Sequence, residues 1–502
     1  MPLARVGVRP RDRSVTARAP APCAADLAGD PAGRRRRPAH LSPTGAAEAS
    51  VVRRAAGGLA PARARRLRST QSICVTPVTP PEVPMTVSVP PPRTLPPTRL
   101  SGDLHLDRRS LLRGATAGAI GVAAAGASGT VLAGTAEAAA AAKPPPTGRP
   151  PLWRQADRKG LVFGSSIATW QLDRNYPKLH AREAGLLFTE DDLLWYQLKP
   201  GPDEPLNFEP GDRIIDFAEA NDQRVIAAHL AWDEGFGEGW SEDDLWGLSR
   251  ADAKKLLYGV IRREVQHYRG RADGWIVANE VTDPEEADKH GFRTNVPWYR
   301  TIGPGYIARS FHLAEEHDPG ALRIINEFGF ETVNEWGDRP EPRRRAYLKA
   351  IDRLLDQKVP VQAVGIQGHL LADGFHRTFR DKAYRAFLRE VADRGLPILI
   401  TELDVLDEGL PKAPRPRDRK VADVYRHYLD VTLDEPAVKA VIAFGLTDRY
   451  TWLEEDQPRE DGAPRRPLAF DRSLRPKPAY TAISNAIRHA PVRKRLWRSK
   501  KG

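Results

Sequence analysis

The stretch Pro397–Val405 reads PILITELDV and ends a hydrophobic run on two acidic residues. Its first half is aliphatic and β-branched, which is typical of a strand that is buried on both faces. Glu402 and Asp404 follow, and the two-residue period of a strand directs both side chains to one face. Because an unpaired buried carboxylate costs several kcal/mol, we expect this strand end to open into a polar cavity or to meet other polar groups.

Seven other apolar runs resemble this one, and longer segments of helical period lie between them. The alternation predicts an α/β protein in which parallel strands and right-handed crossovers close into one (β/α)8 TIM barrel domain. An open doubly wound sheet is the alternative, and the lack of a glycine-rich loop after the first run disfavours its nucleotide-binding form. The predicted strands are Leu161–Ile167, Ala184–Thr189, Arg224–Leu230, Gly274–Ala278, Arg323–Phe328, Ala363–Gln367, Pro397–Thr401 and Ala440–Leu446. The predicted helices are Gly211–Ala220, Ser249–Arg269, Trp298–His317, Arg343–Lys358, Tyr384–Arg394, Lys420–Leu433 and Pro478–His489.

The formal net charge of +12 belongs to the N-terminal part of the chain. Residues 143–502 hold 57 of the 77 basic and 57 of the 65 acidic residues, so their net charge is zero. The barrel therefore gives no electrostatic reason to bind nucleic acid. Residues 1–84 are rich in Ala, Arg and Pro and are predicted to be a disordered basic extension, or a gene-model artefact if translation starts at Met85.

Residues 85–142 have the features of an export signal. Asp107–Gly114 reads DRRSLLRG and resembles a twin-arginine signal, and an Ala/Gly-rich run leads to small residues at Ala136–Ala138. An uncleaved membrane anchor is the alternative, but Ala and Gly supply little transfer free energy. Both cysteines precede Met85, so the mature chain needs no disulfide to fold. We predict a secreted protein exported by the twin-arginine route, without stable membrane association.

Three further segments complete the predicted domain organisation. Residues 143–155 are a Pro-rich spacer, residues 156–490 are the barrel, and residues 491–502 are a basic tail in solvent.

Polar and ionisable residues follow almost every predicted strand. In a closed barrel these strand ends meet at one face, where the loops form the functional site. Some of these residues could instead cap helices or bond to one another, and this applies to Asn326 and Asp448 as readily as a direct role. The residues are Glu190, Asp191, Asp192, His229, Trp232, Asp233, Asn279, Glu280, Asn326, Glu327, Gln367, His369, Glu402, Asp404, Thr447 and Asp448.

The pattern of these strand ends favours one kind of chemistry. No spacing of His and Cys typical of a metal site is present, and no G-x-S-x-G elbow offers a serine nucleophile. Glu280 and Glu402 remain, on the fourth and seventh predicted strands. Two facing carboxylates, one donating a proton and one acting as nucleophile or base, are what glycosidic bond cleavage requires. We predict no cofactor and no metal.

Four motifs in order resemble glycoside hydrolase family 10, whose members are mostly endo-β-1,4-xylanases. They are WIVANE at 275–280, GIQGHL at 365–370, ITELD at 400–404 and GLTDRYTW at 445–452, followed by a similar closing segment, PKPAY, at 476–480. The asparagine-glutamate pair is unspecific alone, but the four motifs together are specific. The resemblance implies the TIM barrel fold and a polysaccharide substrate.

The resemblance also implies roles for the catalytic pair. Glu280 would be the general acid/base and Glu402 the nucleophile of a retaining mechanism. Asn279 would bind the 2-hydroxyl of the sugar, His369 would orient Glu402, and Asp404 would polarise His369 from behind.

Further substrate-binding residues follow from the same motifs. Gln367, Glu190, Trp232 and His229 would contact substrate, and Trp452 would offer a flat face to a sugar ring. For Trp452, packing in the core or at the rim is an equal alternative.

The chain departs from the family where the family grips the sugars on the non-reducing side. Asp191 and Leu194 replace an Asn and a Lys, and Phe444 replaces a Trp. Aligned on Trp232, the family's two His fall on Ala228 and Asp233. His229 is one position over, so an unbroken strand would turn it to the other face unless a bulge restores it.

The sequence thus predicts a secreted, retaining endo-β-1,4-glycan hydrolase that acts as a monomer, with xylan as the first substrate to test. The alternatives are the same machinery on another β-glycan, and a glycan-binding protein with a decayed site. The departures predict that the chemical reaction is the same as in the family and that the preferred glycan differs.

Overall fold

The computed structural model describes residues 149–334, 337–498 and 500–501. The predicted basic extension and the predicted export signal lie outside these residues. Nine strands are present in the described ranges: β1 (Val162–Ile167), β2 (Leu186–Thr189), β3 (Arg224–Ala227), β4 (Gly274–Asn279), β5 (Leu322–Glu327), β6 (Ala363–Ile366), β7 (His369–Leu371), β8 (Ile398–Leu406) and β9 (Val438–Ala443).

Eight of the strands close into a parallel barrel in the order β1-β2-β3-β4-β5-β6-β8-β9. The barrel closes where β9 pairs with β1, with Val162 opposite Ala440. The predicted (β/α)8 TIM barrel is therefore confirmed. The sequence patterns missed β7, which is three residues long and pairs with the far end of β8.

Helices follow the strands and cover the outside of the barrel. The longest predicted helix after β4, Trp298–His317, is interrupted because Gly303 adopts φ = 88° and Pro304 follows it. The α-helices are α1 (Leu152–Asp157), α2 (Tyr176–Glu183), α3 (Trp195–Leu198), α4 (Glu209–Ala220), α5 (Glu242–Trp246), α6 (Arg250–His267), α7 (Pro297–Ile302), α8 (Gly305–His317), α9 (Pro340–Asp356), α10 (Phe375–Thr378), α11 (Asp381–Ala392), α12 (Pro414–Thr432), α13 (Leu453–Asp456) and α14 (Pro478–His489). No described helix is long and apolar enough to cross a membrane.

The predicted spacer extends too far. The chain is already helical at Leu152, whose side chain is buried and whose backbone N–H donates to Glu183 Oε2 over 2.9 Å. Residues 152–155 therefore belong to the barrel, because Leu152 and Ala156 place an apolar face of α1 in the core. The prediction of a spacer over residues 143–155 is wrong from Leu152 onward.

The prediction of a solvated tail over residues 491–502 is also wrong. Arg493 is buried, and its guanidinium donates to the carbonyls of Leu433 and Val438 over 2.6 and 2.8 Å. Its backbone N–H donates to the carbonyl of Lys159, which precedes β1. The tail is thus fastened to the end of the barrel at which the strands begin.

Leu496 and Trp497 explain why the tail docks. Both pack against the apolar cluster inside the barrel, and the Arg224 guanidinium lies 5.2 Å from the centre of the Trp497 ring. The tail was predicted to be solvated because its basic residues dominate its composition. Its two large apolar side chains gain more from covering the barrel interior than the charges lose.

Candidate active site

The two glutamates lie at the C-terminal ends of barrel strands. Glu402 is within β8 and is only 5 % exposed. Glu280 directly follows β4 in a left-handed backbone conformation, φ = 54°, and its backbone N–H donates to the carbonyl of Asn326. This conformation is uncommon for a residue with a side chain, and such residues cluster at functional sites.

A chain of hydrogen bonds connects the two carboxylates. Gln367 Nε2 donates to Glu280 Oε1 over 3.0 Å and to Asn279 Oδ1 over 3.4 Å. Asn326 Nδ2 donates to Asn279 Oδ1 over 2.8 Å and to Glu402 Oε1 over 2.7 Å. Four strands thus supply one network, which fixes both glutamates relative to each other.

Asn326 is the residue of this network for which the sequence left a mere capping role open. Its Oδ1 accepts from Thr401 Oγ1 over 2.8 Å, which orients Nδ2 towards Glu402. A Cβ atom at Gly365 would lie 2.1 Å from that Oδ1, so only glycine leaves room for the amide. The position of Asn326 at the end of an aliphatic run was the signal that could have identified it.

Glu402 is kept ionised by two imidazoles. Burial by itself raises the pKa of this carboxyl, but His229 and His369 outweigh burial and lower the pKa to about 2. His369 Nε2 lies 3.2 Å from Glu402 Oε2. His229 Nε2 lies 4.0 Å from Glu402 Oε1, which is too far for a hydrogen bond.

His229 reaches the site because β3 is shorter than expected. The strand ends at Ala227, so His229 lies beyond its last residue. The strand alternation that would have turned His229 away therefore no longer applies. Both ring nitrogens of His229 are buried and have no hydrogen-bond partner among the described residues.

His369 links Glu402 to a second carboxylate. Its Nδ1 lies 2.9 Å from Asp404 Oδ1, and Trp452 Nε1 donates to Asp404 Oδ2 over 2.7 Å. Burial alone would lower the pKa of His369, but Asp404 and Glu402 together raise it well above its usual value. Each ring nitrogen thus faces a carboxylate, and the protonated ring can donate one hydrogen bond to Asp404 and one to Glu402.

Comparisons with known proteins agree with this geometry. The model of Glycosyl hydrolase family 10 matches residues 152–486. The chain belongs to this family. It is 31 % identical to endo-1,4-beta-xylanase B of Thermotoga neapolitana over 326 residues, which cover 64 % of this chain and 86 % of that protein.

Two solved structures are similar over nearly their whole length. Native xylanase 10B of Thermotoga maritima has a TM-score of 0.58 and 29 % identity, covering 67 % of this chain and 98 % of that chain. Xylanase 10B of Thermotoga petrophila RKU-1 in complex with xylobiose has a TM-score of 0.57 and 28 % identity, covering 67 % and 97 %. The protein is thus a xylanase-like glycoside hydrolase, and its family acts on polysaccharide.

Asn279 and Gln367 both belong to the network that joins the two glutamates, and their contact with substrate stays a prediction. Asn279 accepts two hydrogen bonds at Oδ1, and no described residue accepts from its Nδ2. That amide group can donate a hydrogen bond to a ligand beside the carboxylates of Glu280 and Glu402. Gln367 donates directly to Glu280 Oε1 and therefore helps to orient that carboxyl group.

Trp452 and Phe444 form an aromatic wall beside His369. The Trp452 ring lies 5.3 Å and the Phe444 ring 5.5 Å from the His369 ring, and both aromatic residues are half-buried. The hydrogen bond to Asp404 fixes the Trp452 ring. Trp452 therefore packs at the rim with part of its surface exposed, and its contact with a sugar ring stays a prediction.

Glu190 has partners other than the catalytic pair. Its carboxylate accepts from Ser166 Oγ over 2.6 Å and from Gln171 Nε2 over 2.9 Å. Burial, with the nearby Asp191 charge, raises its pKa to about 8 despite these hydrogen bonds. A direct contact of Glu190 with substrate stays a prediction, whereas its contacts with the loop after β1 are present.

Leu194 and Trp232 form an apolar surface beside His229. Leu194 and Trp232 both pack around Gly235, and the Trp232 ring lies 4.9 Å from the His229 ring. Trp232 Nε1 is buried without a hydrogen-bond partner among the described residues. Trp232 and His229 therefore hold unused hydrogen-bonding capacity next to Glu402.

Two further acidic residues of this region, Asp191 and Asp233, each contact a neighbouring side chain. Asp191 accepts a hydrogen bond from the Trp170 indole over 2.7 Å, and Asp233 lies 3.4 Å from the Arg293 guanidinium. Asp448, which the sequence left open, forms a buried ion pair with Lys477 and therefore has a structural contact. The described residues contain no group of three or more His, Cys, Asp or Glu that could hold a metal ion.

Proposed function

We propose that this protein is a retaining endo-β-1,4-glycan hydrolase in which Glu402 is the nucleophile and Glu280 the general acid/base. The observation that carries the proposal is the environment of Glu402. A buried carboxylate held ionised by two imidazoles, in one hydrogen-bond network with a second glutamate, is suited to attack an anomeric carbon.

The reaction would proceed in two displacements. Glu280 donates its proton to the glycosidic oxygen while Glu402 Oε attacks the anomeric carbon, so that the leaving chain departs as an alcohol. Glu280, now a carboxylate, then takes a proton from water, and that water releases the sugar from Glu402. The anomeric configuration is inverted twice and is therefore retained.

Three neighbouring residues would support these steps. Asn279 Nδ2 would donate to the 2-hydroxyl of the sugar, a contact that strengthens in the transition state. His369 would stabilise the carboxylate of Glu402 when it leaves the sugar, and Asp404 would keep His369 protonated. Asn326 would orient Glu402 without contacting substrate.

Xylan is the proposed substrate, because the relatives named above are xylanases and the catalytic residues match the shared motifs. The same reaction on another β-glycan is the second candidate. It is favoured by Leu194 and Asp191, which replace two polar groups that bind sugars in the family. A decayed glycan-binding protein is disfavoured, since binding alone does not require two networked glutamates.

We also propose that the mature protein is exported by the twin-arginine route and works outside the cell as a monomer. The motif at Asp107–Gly114 and the apolar run behind it support the export route.

A panel of soluble and insoluble polysaccharides tests the proposal. Xylan, mixed-linkage glucan, cellulose and mannan are incubated with the wild type and with Glu402→Ala, and reducing ends are counted. We expect the wild type to release oligosaccharides from xylan and Glu402→Ala to be inactive on all four. Binding without release on every glycan would favour the decayed protein instead. The same assay on culture medium and cell pellet tests export, since activity confined to the pellet would contradict it.

A further inference from the structure

Trp170 is a large aromatic side chain left open to solvent on the face of the barrel that carries the site. It is 54 % exposed, and among the described residues only Val492 is another large apolar side chain exposed to this degree. It belongs to a single 3-10 turn, Thr169–Gln171, that directly follows β1. An exposed indole that is held in place, rather than mobile, suggests a binding surface.

Three consecutive acids after β2 hold this turn, one acid for each residue. Asp192 accepts from the backbone N–H and the hydroxyl of Thr169, at 3.0 and 2.5 Å. Asp191 accepts from the Trp170 indole over 2.7 Å, and Glu190 accepts from Gln171 over 2.9 Å. The turn is thus fixed by side chains that directly follow β2, the strand that pairs with β1.

Tyr450 supports the indole from the other side. Its ring lies 5.6 Å from the Trp170 ring at an angle of 89°, so an edge meets a face. The Tyr450 hydroxyl donates to Asp173, which follows the turn. Tyr450 belongs to the same loop as Trp452, whose indole is tied to Asp404. Trp170 therefore adjoins the loop that carries the aromatic wall of the site.

The acid that holds Trp170 stands where the family pattern has a sugar-binding Asn. Its carboxylate accepts the hydrogen bond of the Trp170 indole. Leu194, which stands in place of the family's Lys, cannot form a hydrogen bond with a sugar hydroxyl. The hydrogen bonds lost on this side of the cleft are thus accompanied by an added flat apolar surface. A pyranose ring presents an apolar C–H face that can cover such a surface.

We propose that Trp170 binds a sugar ring on the non-reducing side of the cleaved bond by stacking, and that Asp191 is the positioning residue that holds the indole. The ligand is a pyranose of a β-1,4-linked chain, at a subsite beyond the one where the bond breaks. Stacking recognises the face of the ring rather than its hydroxyls, so this subsite accepts xylose and glucose alike. The inference rests on the proposed function, because it takes the chain to be a substrate.

The test compares chain lengths. Values of kcat and KM are measured on an aryl β-xyloside and on xylo- and cello-oligosaccharides of increasing length, and binding of xylohexaose and cellohexaose is measured by calorimetry. We expect Trp170→Ala to lower kcat/KM on the longer chains about tenfold, the factor that corresponds to roughly 55 Å² of apolar surface no longer buried. The loss should lie in KM, and the aryl xyloside should be unaffected.

Variants of Asp191 separate positioning from folding. Asp191→Ala should reproduce the KM effect of Trp170→Ala, whereas Asp191→Asn keeps an oxygen acceptor and should stay close to the wild type. Trp170→Phe keeps a ring without the donor and should be intermediate. Thermal unfolding of every variant shows that the fold is intact.

Two results would overturn the inference. One is a Trp170→Ala variant with unchanged KM and unchanged hexaose binding. The other is an equal loss on the aryl xyloside and the longest chain, which would indicate a structural role. A wild type that binds both hexaoses through Trp170 but hydrolyses nothing would contradict the proposed function and leave the stacking subsite standing. A wild type that binds neither hexaose would contradict both.

Discussion

Glu402 shows how single residues set the chemistry of this site. The carboxylate is buried, which by itself would favour the protonated form, yet two imidazoles reverse the effect and bring its pKa to about 2. One of these imidazoles, His369, depends in turn on Asp404 for its charge. Buried neighbours rather than exposure to water thus lower the pKa of Glu402.

This arrangement predicts the acid limb of the pH profile. Because the pKa of Glu402 is lowered, Glu402 is not expected to limit activity until the pH falls towards about 2. In His369→Ala one cationic partner is removed, so the pKa of Glu402 should rise and kcat/KM should fall already at a higher pH. The measurement is kcat/KM as a function of pH for both proteins.

His376→Ala is the matched control for that profile. His376 lies on α10 beside His427 and has no contact with Glu402, so its removal should leave the acid limb in place. An acid limb that does not move in His369→Ala would show that His369 does not keep Glu402 ionised.

At the scale of elements, the tail after α14 has an unexpected part in the fold. The Arg493 guanidinium donates to the carbonyls of Leu433 and Glu435, which follow α12, and of Val438, the first residue of β9. Leu496 and Trp497 cover the apolar interior of the barrel where its strands begin. This segment lies beyond the part of the chain that matches the family model.

We predict that Arg493→Ala destabilises the barrel. Removing the guanidinium leaves buried carbonyls without a donor, which should lower the free energy of unfolding by about 2 kcal/mol. Chemical denaturation of the purified protein measures the change. The exposed Arg498→Ala removes a charge from the same segment without removing those hydrogen bonds and should be neutral. Equal destabilisation by both variants, or by neither, would contradict a specific role for Arg493.

A strand or helix could be predicted where its hydrophobic pattern is long enough to show a period. All eight barrel strands were found from their aliphatic runs, because burial on both faces leaves a clear pattern. The strand β7 was missed because three residues cannot show a period. The tail and the helix α1 were missed because their composition is polar or Pro-rich, and only the apolar surface that they cover explains why they dock.

At the scale of the whole molecule, the docked tail and the candidate active site lie at opposite ends of the barrel. The tail and its contacts lie where the strands begin, whereas the glutamates, the imidazoles and Trp170 lie where the strands end. The motifs in the sequence predicted that Glu280 and Glu402 lie close together, and both do belong to one hydrogen-bond network; their catalytic roles stay predictions. The motifs did not indicate the contacts of Asn326 or Trp170, because these contacts join residues that are distant in sequence.

The central claim about this molecule is that Glu402 attacks the anomeric carbon from one face of the sugar and Glu280 donates a proton to the glycosidic oxygen from the other. Rescue by azide of the two alanine variants, with an activated aryl β-glycoside and nuclear magnetic resonance of the product, tests it most directly. In Glu402→Ala azide takes the place of the nucleophile, so a single displacement should give the α-glycosyl azide. In Glu280→Ala the sugar first forms a bond to Glu402 and azide then displaces it, so the β-glycosyl azide is expected. A β-azide from Glu402→Ala, or full hydrolytic activity of that variant without azide, would contradict the account.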